Sequence, residues 1–150
     1  MRFSRLVLCL AAPVAVYAAS SCAHIEYAVP PHYEHGGVVL NQVKVEHDDD
    51  EIQVSMWVTN RTDRPLLIDR NQIVCVLPSG QTLFRSNAQV FGIPTAPSYL
   101  LPPQGNHEVQ LAYKLPPNTP QVSLMLGPGM FIDNVPQNLP PYVISRKAEK

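Results

Sequence analysis

The sequence predicts an all-β fold: an immunoglobulin-like antiparallel β-sandwich of seven or eight strands after an N-terminal signal and tether. Three observations predict it. Apolar residues recur at every second position in short segments, turn residues divide these segments about every 8–12 residues, and no segment carries a helical apolar stripe. Strands that are apolar on one face bury that face against a second sheet, which indicates a sandwich.

The first strands show the period of two most clearly. Valines alternate with largely polar residues over 39–46, and an acidic segment at 47–50 then interrupts the pattern. The next strand covers 52–59, with Trp57 on the face opposite the apolar residues. A polar turn at 60–65 ends it, because Asn and Asp side chains bond locally and proline fixes the exit. These signals predict two neighbouring antiparallel strands.

Further strands are predicted at 66–68, 73–77, 81–85, 108–115 and 122–126, and residues 86–97 are predicted to form a long surface connection. The domain organisation that follows is a signal peptide at 1–21, a flexible tether at 22–36, the sandwich at 37–134 and a proline-rich tail at 135–150. Within that tail, Tyr142, Val143 and Ile144 either add an edge strand or remain unpaired.

The N-terminal 21 residues have the pattern of an export signal. Arg2 and Arg5 precede an apolar run over 6–17, small residues follow over 18–21, and the run is too short to span a bilayer permanently. We therefore expect the mature protein outside the cytoplasm.

Cysteine usage leaves two export routes open. Residues 19–22 resemble a bacterial lipobox, in which the thiol of Cys22 is acylated and becomes the new N-terminus. That route is favoured, and Ala23 then implies sorting to the outer membrane, facing the periplasm. In the alternative, cleavage after Ala18 leaves Cys22 free to pair with Cys75 in an oxidising compartment. Cys75 lies in an apolar run and is predicted to be a small buried hydrophobe.

The charge balance excludes nucleic acid as a partner. The signal contains two of the 11 Lys and Arg residues and none of the 12 Asp and Glu residues, so the mature chain is acidic. Basic residues are spread singly rather than along a stripe. The sequence also lacks a nucleophile-elbow pattern and paired catalytic carboxylates, so we expect no enzymatic activity and no cofactor.

Two sets of residues are candidates for binding. His32 and His35 have a spacing that allows both rings to reach one copper or zinc ion, which gives a metal site as one hypothesis. Trp57, Phe91 and Tyr99 are candidates for contact with a protein partner, because Trp and other aromatic residues are enriched at binding hot spots.

The segment from 51 to 126 resembles a known pattern. A strand ending at Asn60, a Pro-Ser-Gly turn at 78–80 and Leu-Pro-Pro elements at 101–103 and 115–117 are similar to bacterial telokin-like immunoglobulin-fold domains of extracellular lipoproteins. The resemblance covers about half of the chain. It implies an architecture and a surface role. The same features are similar to a bacterial proteinase-inhibitor family with this fold.

These observations together predict a non-catalytic, membrane-anchored lipoprotein of the cell envelope. We expect its partners to be the lipid bilayer, through acylated Cys22, and another envelope protein that it binds or supports. Two alternatives remain: a periplasmic metal carrier that uses His32 and His35, and an inhibitor of an exported protease.

Overall fold

The computed structural model describes residues 25–148 except 88, 91, 92 and 95, and it describes no side chain between 88 and 95. The export signal, Cys22 and Phe91 therefore lie outside the described residues. The chain is an all-β antiparallel sandwich, which confirms the predicted fold class. Two 3₁₀ turns, at Arg70–Gln72 and Gly127–Gly129, interrupt the strands.

The described residues contain fifteen strands, of which seven have four or more residues. They are β1 (Tyr27–Ala28), β2 (Tyr33–His35), β3 (Val38–Asp48), β4 (Glu51–Asn60), β5 (Leu66–Asp69), β6 (Val74–Val76), β7 (Thr82–Leu83), β8 (Gln89–Val90), β9 (Ile93–Pro94), β10 (Ser98–Leu101), β11 (Asn106–Lys114), β12 (Gln121–Met125), β13 (Met130–Ile132), β14 (Val135–Pro136) and β15 (Tyr142–Arg146). The strands β8 and β9 form a small separate hairpin within the predicted surface connection.

One layer is the sheet with strand order β11-β4-β3-β2. The alternation predicted for its central strand is present, because Ile52, Val54, Met56 and Val58 are all at most 1% exposed. The pairing of β3 with β4 shifts register between Asn41 and Lys44. Gln42, inside this shift, has a positive φ of 48°, as expected in a β-bulge, where an extra residue bends the strand.

The second layer consists of two sheets, and the chain passes from one sheet to the other through short 3₁₀ turns. Their orders are β1-β15-β12-β6-β7 and β10-β5-β13-β14. The chain runs from β5 to β6 through one 3₁₀ turn and from β12 to β13 through the other, and the two turns contact each other. Gly129 is required there, because a Cβ atom at this position would collide with the Ile73 side chain and the Asp69 carbonyl oxygen.

The core lies between the layers and includes buried tyrosines that donate hydrogen bonds. The Tyr113 hydroxyl donates to the Ile73 carbonyl oxygen at 2.7 Å, which links β11 to the opposite layer. The Tyr33 hydroxyl donates to the Pro140 carbonyl oxygen at 2.6 Å. A buried phenol needs such an acceptor, and each of these bonds joins segments distant in sequence.

The structure corrects the predicted tether and tail. From residue 25 onward the predicted tether belongs to the sandwich, since β1 pairs with β15 and β2 pairs with β3. Strand β15 is an interior strand between β1 and β12, and its Tyr142 is fully buried. Pro30, Pro31, Pro140 and Pro141 flank the paired residues, and Pro136 pairs with Phe131 in the edge strand β14, where proline is tolerated.

Asn60 is a buried polar residue that joins two turns. It is 0% exposed. Its side-chain amide donates to the Arg64 carbonyl oxygen at 2.7 Å and approaches those of Leu101 and Pro102 within 3.3 Å. Its side-chain oxygen accepts from the backbone N–H and the hydroxyl of Thr62. The turn after β4 and the turn after β10 are thereby held by one side chain.

Truncation of Asn60 is expected to destabilise the fold strongly. Asn60→Ala removes the hydrogen bonds that this fully buried side chain makes to Leu101, Pro102 and Thr62, so the free energy of unfolding is expected to fall by about 2–4 kcal/mol. The control is Asn41→Ala, because Asn41 is exposed and its one side-chain bond, to Thr59, is exposed too. Urea unfolding of both variants checks this, and equal losses would contradict the role assigned to Asn60.

Candidate functional site

The outward face of β10, β5, β13 and β14 carries one continuous apolar row. In the strand register, Leu100 pairs with Leu67, Leu67 with Phe131, and Phe131 with Pro136. Leu100 is 61% exposed, Leu67 and Phe131 are half-buried, and Pro136 is exposed. We call these four residues the apolar row. It crosses every strand of this sheet.

Strand alternation explains why the row faces outward. Four strand neighbours of its members, Leu66, Ile68, Leu101 and Met130, are at most 1% exposed and pack in the core. Since successive side chains of a strand point to opposite faces, Leu100, Leu67 and Phe131 are left on the outer face.

Polar residues border the apolar row on both sides. On one side, next to Leu100 and Leu67, lies the cross-strand pair of Ser98 and Asp69. At the other side, Arg64 forms an ion pair with Asp133. An apolar centre with a polar rim is a composition that protein contact surfaces share.

The predicted partner contacts are not brought together. Trp57 is 38% exposed on the outer face of the other layer, in register with Asn41 and Glu108. Tyr99 is 43% exposed at the margin of its sheet, where its ring stacks on the ring of His107 with centroids 3.7 Å apart. Phe91 lies outside the described residues. Trp57 and Tyr99 thus belong to different surfaces, and the apolar row is a third.

The two histidines predicted to share a metal ion lie on opposite sides of β2. The His32 ring is 3.8 Å from the carboxylate of Glu34, whereas the His35 ring packs edge-on against Tyr33. Residues three apart on an extended chain point to opposite faces, so this geometry does not favour a shared ion, and the metal site stays a prediction. Within the part of the chain that the structure describes, no group of three or more His, Cys, Asp or Glu residues could hold a metal ion.

A polar groove of about 410 Å³ lies over the outer face of β3, β4 and β11. Glu51 and Glu108 line it, and each accepts a hydrogen bond of 2.5 Å from a serine, Ser86 and Ser55 respectively. Lys44 lines the same groove. The carboxylates are thus engaged by neighbouring side chains on an open sheet face.

Buried titratable groups serve structure here. Burial raises the pKa of Tyr33, Tyr142 and the Cys75 thiol to about 12, and it raises the pKa of Tyr113 as well. These groups stay protonated at neutral pH, and the phenols act as hydrogen-bond donors. Cys75 is free and fully buried, as the sequence predicted.

Comparison with known proteins gives the fold alone. No family model and no curated protein matches the sequence. The crystal structure of the yjhA protein from Bacillus subtilis is similar, with a TM-score of 0.50 and 9% identity over 65% of this chain and 79% of that chain. The Northeast Structural Genomics Consortium target SoR45 gives a TM-score of 0.38 and 11% identity over 79% of this chain and 81% of that chain.

Sequence reasoning missed most of the apolar row. Leu67 was predicted only as a strand residue, and Phe131 and Pro136 carried no site prediction. The signal that could have found them is the apolar character of both faces in 66–68 and 130–132, because an outward apolar residue remains when the inward ones fill the core. No sequence signal predicted the register that aligns β10, β5, β13 and β14.

Alkaline pH is expected to destabilise the sandwich through its buried tyrosines. Burial raises the pKa of Tyr33 from 10.0 to about 12, so the unfolded phenol loses its proton before the folded one does. The contribution of the protonated Tyr33 phenol to the free energy of unfolding is therefore complete below pH 10 and is lost between pH 10 and about 12. Urea unfolding across this range checks it: Tyr33→Phe is expected to flatten the decline, whereas Asn41→Ala, which removes no phenol, is expected to keep it. Identical slopes for both variants would contradict the assignment.

Proposed function

We propose that this protein is a membrane-anchored lipoprotein of the cell envelope that acts without catalysis, by binding another envelope protein. The observation that carries the proposal is the apolar row on the outer face of β10, β5, β13 and β14. We classify the protein as a bacterial lipoprotein with a telokin-like immunoglobulin-fold domain. The all-β sandwich fits the fold that this classification requires.

The size of the apolar row suits a segment of a protein partner. Neighbouring strands lie about 4.8 Å apart, so a row over four strands is roughly 14 Å long. Leu100 leaves most of its side chain in water, and covering it would contribute favourable free energy. The polar rim formed by Ser98, Asp69 and the Arg64–Asp133 ion pair would set the orientation of the bound segment.

The anchor is proposed to hold the sandwich close to the bilayer. Acylated Cys22 is the attachment point, and β1 begins only five residues later, at Tyr27. A chain spans at most about 3.4 Å per residue, so this connection reaches no more than about 17 Å. Strand β1 is fixed to β15, which leaves the domain little freedom to swing. The partner is therefore an envelope protein that reaches the same membrane surface, proposed to be the periplasmic face of the outer membrane.

The surroundings of His32 and His35 favour protein binding over metal transport. A metal carrier that uses His32 and His35 would need both rings on one side, whereas they contact Glu34 and Tyr33 on opposite sides of β2. Among the described residues no helix is long and apolar enough to cross the bilayer.

Position-specific cross-linking tests the binding function. A photo-reactive residue at Leu100 is expected to trap one envelope protein in intact cells, and the same residue at Gln121, which is exposed in the other sheet of that layer, is expected to trap none. Leu100→Glu should lower capture of that protein by about tenfold or more, as for a hot-spot residue. Equal trapping from both positions would contradict the role of the apolar row.

Mass spectrometry of the mature N-terminus tests the anchor separately. The expected N-terminal peptide begins at Cys22 and carries acyl chains, and Cys22→Ser is expected to release the protein from the membrane fraction. A peptide that begins at Ala19, with Cys22 unmodified, would exclude the lipid anchor while leaving the result at Leu100 unaffected.

A further inference from the structure

The two layers leave a cleft between their outermost strands at one side. Strand β10 is the last strand of one layer and β11 is the last strand of the other, and the cleft between them has a volume of about 240 Å³. Ile68 and Val109, which are at most 1% exposed, line it from the core. Its outer part is formed by Arg70, Ser98 and the stacked pair Tyr99 and His107.

The polar groups of the cleft are donors. The Arg70 guanidinium donates one hydrogen bond to the Ala96 carbonyl oxygen, and a guanidinium has five N–H groups. No ring nitrogen of His107 has a hydrogen-bond partner within the described part of the chain, and the parallel stack on Tyr99 holds that ring in place. None of the described residues that line the cleft is acidic.

The surrounding charges favour an anion at this place. The carboxylate of Asp69, next to Arg70 in sequence, is engaged by the Asn71 backbone N–H and the Gln72 amide at 3.0 and 2.8 Å. Burial, and then the positive charge of Arg70, lower the pKa of Arg85, against smaller opposing effects of Tyr113 and Asp69. Two arginines therefore repel each other near the cleft, and an anion beside Arg70 would reduce that repulsion.

We propose that this cleft binds a small organic carboxylate: its apolar body lies against Ile68 and Val109, and its carboxylate faces Arg70 and His107. Convergent donors at the mouth of an apolar cleft are typical of small-molecule sites. The volume is about eight times the roughly 30 Å³ that a water molecule occupies in the liquid, which suits a ligand of about eight heavy atoms. This activity goes beyond protein binding at the apolar row, because Leu100 of the row and Tyr99 of the cleft point to opposite faces of β10.

Three probes separate charge from apolar contact. Hexanoate has the proposed size and charge, hexanamide has the same body without the charge, and acetate has the charge without the body. They are titrated into the mature chain carrying Cys22→Ser, with the ring resonances of His107 and Tyr99 followed by NMR. Hexanoate is expected to shift both rings saturably and to bind about tenfold or more tightly than either other probe.

Two variants locate the site. Arg70→Gln is expected to weaken hexanoate about tenfold or more, because a charge-assisted hydrogen bond is lost. Ala96→Leu, at an exposed position of the lining, is expected to block all three probes without removing a core contact. The matched control is Arg61→Gln, since Arg61 is an exposed arginine paired with Glu34 away from the cleft. The thermal unfolding midpoint of each variant verifies its fold.

The proposal is overturned by any of three results. These are no shift of the His107 and Tyr99 rings with hexanoate, equal affinity for hexanoate and hexanamide, or equal weakening by Arg70→Gln and Arg61→Gln. None of them bears on cross-linking at Leu100, so failure of the cleft is distinguishable from failure of the proposed protein binding.

Discussion

The hydrogen bonding of Asn60 is the constraint on which the rest of the structure depends. A sandwich needs its two layers fixed to each other at the ends, where strands stop and carbonyl oxygens lose their ladder partners. Asn60 meets this need at one end, because it is the last residue of β4 in one layer and its fully buried side chain donates to carbonyl oxygens at the end of β10 in the other. Its backbone adds two bonds, to the carbonyl oxygen of Gly105 and from the N–H of Gln104.

This constraint positions both proposed binding surfaces. The carbonyl oxygen of Leu101 belongs to the last residue of β10, so fixing it fixes the end of that strand. Leu100 then points outward into the apolar row, and Tyr99 points to the cleft beside His107. A four-residue strand thus contributes to both proposed surfaces, one on each of its faces. Its short length makes it dependent on the anchoring at Asn60.

Local patterns predicted the long strands and missed the contacts between distant segments. The alternation over 52–59 is visible in the sequence because each side chain reports its own face. Strands β1 and β2 have two and three residues among prolines, and only their pairing with β15 and β3 makes them strands. Asn60 was recognised as a turn residue, but its burial depends on a segment 41 residues later. The apolar row likewise exists only in the register of four strands.

Hydrogen exchange of the Gln104 and Thr62 amides tests the role of Asn60 most directly in the unmodified chain. The Gln104 N–H donates to the Asn60 carbonyl oxygen at 2.7 Å, and the Thr62 N–H donates to its side-chain oxygen at 3.0 Å. Both amides are expected to exchange only on global unfolding, with the same free energy as the core strand β4, although they lie in turns. Exchange at the rate of an exposed loop, while β4 stays protected, would contradict the account.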